Sequence, residues 1–210
     1  MSDINYTDII RRGWKRILLF AFLTAAFAAA VSFAFPLRYS STTRLLIIQN
    51  QLSSTDPYTA IKAAERISDN LAQILYTTDF YDKVMAAQFN VDESYFEGEE
   101  RKQRKRWQDA ISTRVLRGSG MLDVTVYHTD PEQAEQISQA IAFVLTTEGW
   151  AYVGGGDLQV RVVDEPLTSR WPVRPNIPAN AFMGLVLGGL AGTGYVILRH
   201  SNRRRGVFGE

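Results

Sequence analysis

Two uncharged apolar runs, residues 17–35 and 179–198, bracket this chain of 210 residues. A run of about 20 apolar residues, rising about 1.5 Å per residue as a helix, crosses the hydrocarbon core of a bilayer. The pattern therefore predicts a transmembrane helix over 17–35, closed by Pro36, and a second over 179–198. Between them the periodicity changes repeatedly. Residues 39–49 (YSSTTRLLIIQ) are β-branched and aliphatic without Gly or Pro and read as a strand leaving the first span. Asp56 and Pro57 look like a helix start, and Ile61, Ala64, Ile67, Leu71, Ile74 and Leu75 then recur at helical steps to about Tyr76. A shorter helix is expected over 80–88.

The charged run 97–106 (EGEERKQRKR) opens a third helix, expected to continue through Trp107 and Ile111 toward Val115. Its acids precede its bases by four positions, Glu97 with Arg101 and Glu100 with Arg104, the order that supports a solvated helix face. The basic part, 101–106, is read as that face in preference to a site for anionic glycan or lipid phosphate. Residues 121–128 (MLDVTVYH) alternate as a half-buried strand does. Asp130 can cap the next helix, with Pro131 at its first position, Gln133 completing a capping box, and Ala134, Ile137, Ile141, Val144 and Leu145 on one face. Gly154, Gly155 and Gly156 make a turn without the Lys-Ser/Thr of a phosphate loop, and 159–164 (QVRVVD) is the last strand.

The fold class is therefore α+β: two transmembrane helices flanking a small mixed α/β domain whose first and last strands adjoin the spans. Pairing of those two strands would bring the spans together. Charge orients the chain. Arg11, Arg12, Lys15 and Arg16 precede the first run, and Arg199, Arg203, Arg204 and Arg205 follow the second. The positive-inside bias then puts a tail of 1–16 and a basic tail of 199–210 in the cytoplasm, and the domain of 36–178 outside. A cleaved signal peptide is the competing reading of the first run, disfavoured because signal cores span about 7 to 15 residues. Bulk charge, 23 basic against 22 acidic residues, gives no reason to expect nucleic acid.

No constellation looks catalytic. There are no cysteines, the only histidines are His128 and His200, and Asp164 and Glu165 are strand neighbours that point to opposite faces. No catalytic, cofactor-binding or metal-binding residues are expected. The spans are more informative. Gly184, Gly188 and Gly192 repeat every four residues, and Ala21, Ala25 and Ala29 make a similar small face on the first run. Such faces allow close helix packing, either of the two spans with each other or of subunits. Before the second span, Pro172, Pro175 and Pro178 stand three apart and predict a stiff, polyproline-like strut from domain to membrane. The simpler role is to keep the last strand from merging with the span.

With these features placed, the chain resembles the Wzz-type chain-length determinants, the polysaccharide co-polymerases of bacterial envelopes. The likeness rests on Tyr39, Ser41 and Leu45 in the first strand, on Asp130, Pro131 and Ala134 at a helix start, and above all on WPVRPNIP abutting a Gly-rich span. It implies a non-enzymatic protein of the bacterial inner membrane, both termini cytoplasmic. It further implies a homo-oligomeric ring that works with a membrane-embedded glycan polymerase on a lipid-linked polysaccharide and regulates its length. The region between the spans is too short for the long helical arm of larger members. It is closer to compact co-polymerases of capsule and exopolysaccharide systems, which act with a separate cytoplasmic tyrosine kinase. Arg203, Arg204, Arg205 and Phe208 would then form a kinase-docking tail. Two other classes stay open: a membrane adaptor that activates such a kinase, and a two-span sensor or channel.

Overall fold

The computed structural model describes residues 6–49, 57–153 and 158–207, with side chains over 10–49, 58–153 and 158–199. Asp56, Gly154, Gly155, Gly156 and Phe208 lie outside the described residues. The chain separates into two compact units, one of residues 38–173 and one of 1–37 with 174–210.

The central unit is built on a four-stranded sheet of order β2-β3-β1-β4, antiparallel throughout. Its strands are β1 (Tyr39–Gln49), β2 (Ile111–Leu116), β3 (Met121–His128) and β4 (Leu158–Thr168). The helices are α2 (Pro57–Ile74), α3 (Thr78–Ala86), α4 (Glu100–Ala110) and α5 (Pro131–Glu148). Period two decides which face is covered. Ser41, Thr43, Leu45 and Ile47 of β1 and Leu122, Val124, Val126 and His128 of β3 are buried, whereas the residues between them are half-exposed. The core contains Leu71, Leu75, Phe80, Phe96, Trp107, Ile137, Ile141 and Leu145 together with the buried strand residues. Trp107 closes it at one end. Its Nε1 donates to the Leu75 carbonyl at 2.8 Å, and its ring meets Tyr81 and Phe96 edge-on. The opposite sheet face carries Arg44, whose guanidinium grips both carboxylate oxygens of Asp123 at 2.6 and 3.1 Å and reaches Asp164 at 3.5 Å.

Three local expectations are corrected. The third helix stops at Ala110, and 111–116 is strand β2. Its β-branched ISTRV segment pairs along β3, through a turn in which Gly118 and Gly120 take φ of 75° and 65°, where a side chain would be strained. That helix also begins later than expected, at Glu100, because Glu97 is extended (φ −56°, ψ 142°) at the end of the 3-10 turn Glu93–Phe96. Hence Arg104 pairs with Glu100 at 3.0 Å, but among the described residues no ion pair joins Glu97 to Arg101; Arg106 instead donates to the Glu97 carbonyl at 2.8 Å.

The third correction concerns α5. Asp130 does cap it, Oδ1 accepting from the Glu132 N–H at 2.9 Å. The capping box is incomplete because the Asp130 N–H is already taken by His128 Nδ1 at 3.0 Å. Gln133 is released and ties down the preceding loop, accepting from Asp92 N at 2.8 Å and donating to the Asn90 carbonyl at 3.1 Å.

The second unit is a helix pair, α1 (Tyr6–Phe33) and α6 (Ile177–Val207). Within them the stretches Ile10–Phe33 and Ile177–Arg199 are long and apolar enough to cross a membrane. They are not core helices of a soluble body. Phe22, Phe27, Phe33, Phe182, Leu187, Leu190 and Leu198 are each at least 60% exposed, an apolar surface that water disfavours and lipid accepts.

Candidate functional site: the helix pair and the domain exits

The α1/α6 contact is made by backbones rather than by large side chains. A methyl built on Gly184 would stand 2.7 Å from the Thr24 carbonyl oxygen, 2.9 Å from Ala28 Cβ and 3.0 Å from Ala25 Cα. At Gly188 it would run into Thr24 Oγ1 and lie 2.6 Å from the Phe20 oxygen and 2.8 Å from Ala21 Cα. At Gly192 it would meet Ile17 Cα at 3.0 Å. The stripe continues beyond the glycines. Gly13 takes Val196 against it, and Asn180 Nδ2 donates to Ser32 Oγ at 2.9 Å. Along α6 the contacts therefore recur every four residues from Asn180 to Val196, and they run backwards along α1 from Ser32 to Gly13, an antiparallel pairing through the i±4 rows.

Ala21 and Ala25 thus face the glycines, and Ala28 rather than Ala29 is the alanine nearest Gly184. Sequence reading missed three polar or small partners: Gly13, Ser32 and Thr24. Thr24 Oγ1 lies 2.8 Å from the Gly184 carbonyl of the other helix, and also 2.8 Å from the Phe20 carbonyl of its own. A hydroxyl with a second acceptor one turn back fits anywhere on an apolar helix, so its cross-helix role has no signature along the chain. Periodicity could have flagged Gly13 and Ser32, which stand at helical steps from Ala21 and Ala25.

The central unit's two exits are joined. The Val173 N–H donates to the Arg38 carbonyl at 2.8 Å, and Ser169 N donates to the Ser40 carbonyl at 2.8 Å while its Oγ accepts from Ser40 N at 3.0 Å. The prolines divide differently from one continuous strut. Pro172 lies in the stretch pinned by Ser169 and Val173. Pro178 belongs to the first turn of α6, which Asn176 caps by accepting from Ala179 N at 3.1 Å. A polyproline geometry cannot extend into an α-helical turn, so the stiff segment is shorter than the three prolines span. Arg203, Arg204 and Arg205 fall on the helical continuation of α6.

Two electrostatic features mark the central unit. Lys83 on α3 donates toward Glu148 at the end of α5 at 2.9 Å and stands over the Tyr152 ring at 4.5 Å, and its pKa is raised, chiefly by the Glu148 bond. The Tyr152 hydroxyl in turn donates to Asp79 at 2.6 Å. His128 is buried against the Tyr95 ring, and burial lowers its pKa, against the opposing pull of the Asp130 backbone and the Asp130 and Asp92 charges. Neither forms a cleft with convergent reactive groups, and among the described residues no three His, Asp or Glu side chains gather as metal ligands.

Comparison with known proteins bears on the first half of this architecture. The family model described as Wzz, chain length determinant protein, matches residues 4–87, which contain α1, β1, α2 and α3. Over residues 4–87 the chain is similar to the Wzz family. Two curated relatives are similar over nearly the whole chain: the capsular polysaccharide biosynthesis protein CpsC of Streptococcus agalactiae and its counterpart in serotype Ia of that species. Each is 21% identical over 206 residues, covering 93% of this chain and 81% of the relative.

Proposed function

We propose that this protein regulates the chain length of a lipid-linked surface polysaccharide, of the capsule or exopolysaccharide class, as a non-enzymatic co-polymerase. It acts as a homo-oligomer beside a membrane-embedded glycan polymerase, spans the inner membrane twice with both tails in the cytoplasm, and holds its central domain outside. The observation that carries this reading is the Wzz match over the first span, β1, α2 and α3. Basic residues flanking both spans support the topology. The glycine face of α6 serves to bind α1, which leaves subunit assembly to other surfaces.

Pro172, Pro175 and Pro178 couple the domain to the membrane helix in this reading. Deleting the gene and profiling surface polysaccharide on gels tests the function: a shifted length distribution is expected, and an unaltered ladder overturns it. Replacing the three prolines by Ala tests the coupling, with a changed ladder at normal expression and insertion as the expected result.

A second reading is favoured by the extension of α6 through Val207, past its apolar stretch. Arg203, Arg204, Arg205 and Phe208 then dock a separate cytoplasmic tyrosine kinase. Truncating 200–210 would abolish kinase autophosphorylation in that case and leave it unchanged otherwise. The sensor or channel reading has less support, since Thr24, Ser32 and Asn180 spend their hydrogen bonds between the helices.

A further inference from the structure

The two most exposed large apolar side chains among the described residues are Trp171, 80% exposed, and Leu167, 79% exposed. Both belong to the central unit, where the next most exposed large side chains are Tyr58 at 68% and Trp150 at 53%. Neither is on a floppy segment. Leu167 lies within β4, paired with Thr42 of β1, and the loop carrying Trp171 is held at Ser169 and Val173 by backbone bonds of 2.8 Å to Ser40 and Arg38. Pro172 removes one more free torsion beside the indole. A pinned backbone that presents an indole outward loses little entropy when the ring is ordered by a partner.

The partner follows from chain length and chemistry. Trp171 precedes Ile177, the first residue of α6, by six positions. Six residues reach at most about 20 Å even when fully extended, so the ring cannot be far from the membrane entry point of the helix. Trp is amphipathic and concentrates at the headgroup level of bilayers, with an apolar body and one N–H donor. Arg170, exposed and without an ion-pair partner among the described residues, stands next to it as a donor for lipid phosphate.

We propose that the pinned loop around Trp171, with Leu167, is a second membrane contact of this protein, seated among the headgroups of the outer leaflet and separate from the two spans. It rests on the two-span reading above. The contact restrains the tilt of the domain on the bilayer.

The absence of cysteine allows single labelling sites. Nitroxide labels at Leu167→Cys, Trp171→Cys, Trp150→Cys and Leu187→Cys would be compared in the full chain, reconstituted in phosphatidylethanolamine/phosphatidylglycerol vesicles. Collision rates with oxygen, which partitions into lipid, and with a water-soluble nickel chelate give the depth. Position 187 should be oxygen-dominated, 150 chelate-accessible, and 167 and 171 several-fold more protected from the chelate than 150 while still oxygen-accessible. If 167 and 171 match 150 while 187 remains in lipid, the contact is refuted and the spans stand. Protection from both reagents would also refute it, since a protein then covers the loop. An aqueous 187 would remove the two-span reading and this inference together. Brominated-lipid quenching of Trp14→Phe, which removes the tryptophan of the first span, should be lost when Trp171→Phe is added and gives an independent readout without a label.

Discussion

The backbone N–H of Val173 donates to the carbonyl oxygen of Arg38 at 2.8 Å, so the chain enters and leaves the central domain one hydrogen bond apart. The closure follows from β1 and β4 being antiparallel neighbours, with Ser41 opposite Thr168. A fragment of residues 38–173 should therefore fold without the spans and unfold cooperatively in urea. Within it, Val173→Pro removes the donor and should lower stability by about 0.5–1.5 kcal/mol, read from the urea midpoint. A fragment lacking cooperative unfolding would show that the domain needs its helices.

Gly188 has no room for a side chain on the face it turns to α1. Gly188→Leu should force the helices apart, with overpacking costs of about 1–3 kcal/mol. The measurement uses Ser32→Cys with Asn180→Cys, whose parent side chains touch at 2.9 Å. Disulfide formation in membranes should be efficient in the parent pair and lost when Gly188→Leu is added. Gly189→Leu, with open space around it, should leave the cross-link intact.

Trp107 combines burial with a hydrogen bond that the Leu75 carbonyl has no other way to replace at that depth. Trp107→Phe should cost the 38–173 fragment about 1–3 kcal/mol, mostly the unsatisfied carbonyl. Trp107→Ala should cost about 3–5 kcal/mol by adding a cavity.

His128 gives the domain a pH dependence with a definite sign. Its pKa in the folded state is depressed by burial, with Asp92, Asp130, Arg38 and the Tyr95 ring as the groups around it. The unfolded chain then binds the proton more readily, so stability is full above the ordinary histidine value of about 6.5 and falls as pH drops below it. His128→Asn keeps an acceptor near the Nδ1 position for Asp130 N and should flatten the urea midpoint between pH 7 and pH 5 (roughly, the histidine range). An unchanged slope would assign the titration to another group.

Mass spectrometry of the membrane-extracted protein should find the first span still attached, because α1 supplies one side of the helix pair. A start after Pro36 would instead identify the first run as a signal peptide.

Much of this fold was legible along the chain because its signals are periodic and local. The uncharged runs stand out by length and composition, and β1, β3 and α5 each announce themselves by a single unbroken period. Strand β2 was hidden. It follows α4 without a break, so a helical period carried through Trp107 ran on into Ile111 although the pairing partner lies across the turn at Gly118. Gln133 was misassigned for a related reason, since the competitor for the Asp130 N–H is His128, a side chain that only the end of β3 brings close. In the helix pair, the glycines were readable as a small face, but a small face does not name what fills it.

The sequence by itself determined the two apolar helices, the basic residues at their outer ends, and the α+β alternation between them, because length, charge and period need no partner to be expressed. Only the tertiary structure decided that Gly184, Gly188 and Gly192 lie on Thr24, Ala21 and Ile17, that Val173 closes on Arg38, and that Trp171 is left outside. Each of these is a contact or an exposure between residues far apart in the chain, set by which surfaces remain once the core has packed, and no local pattern encodes it.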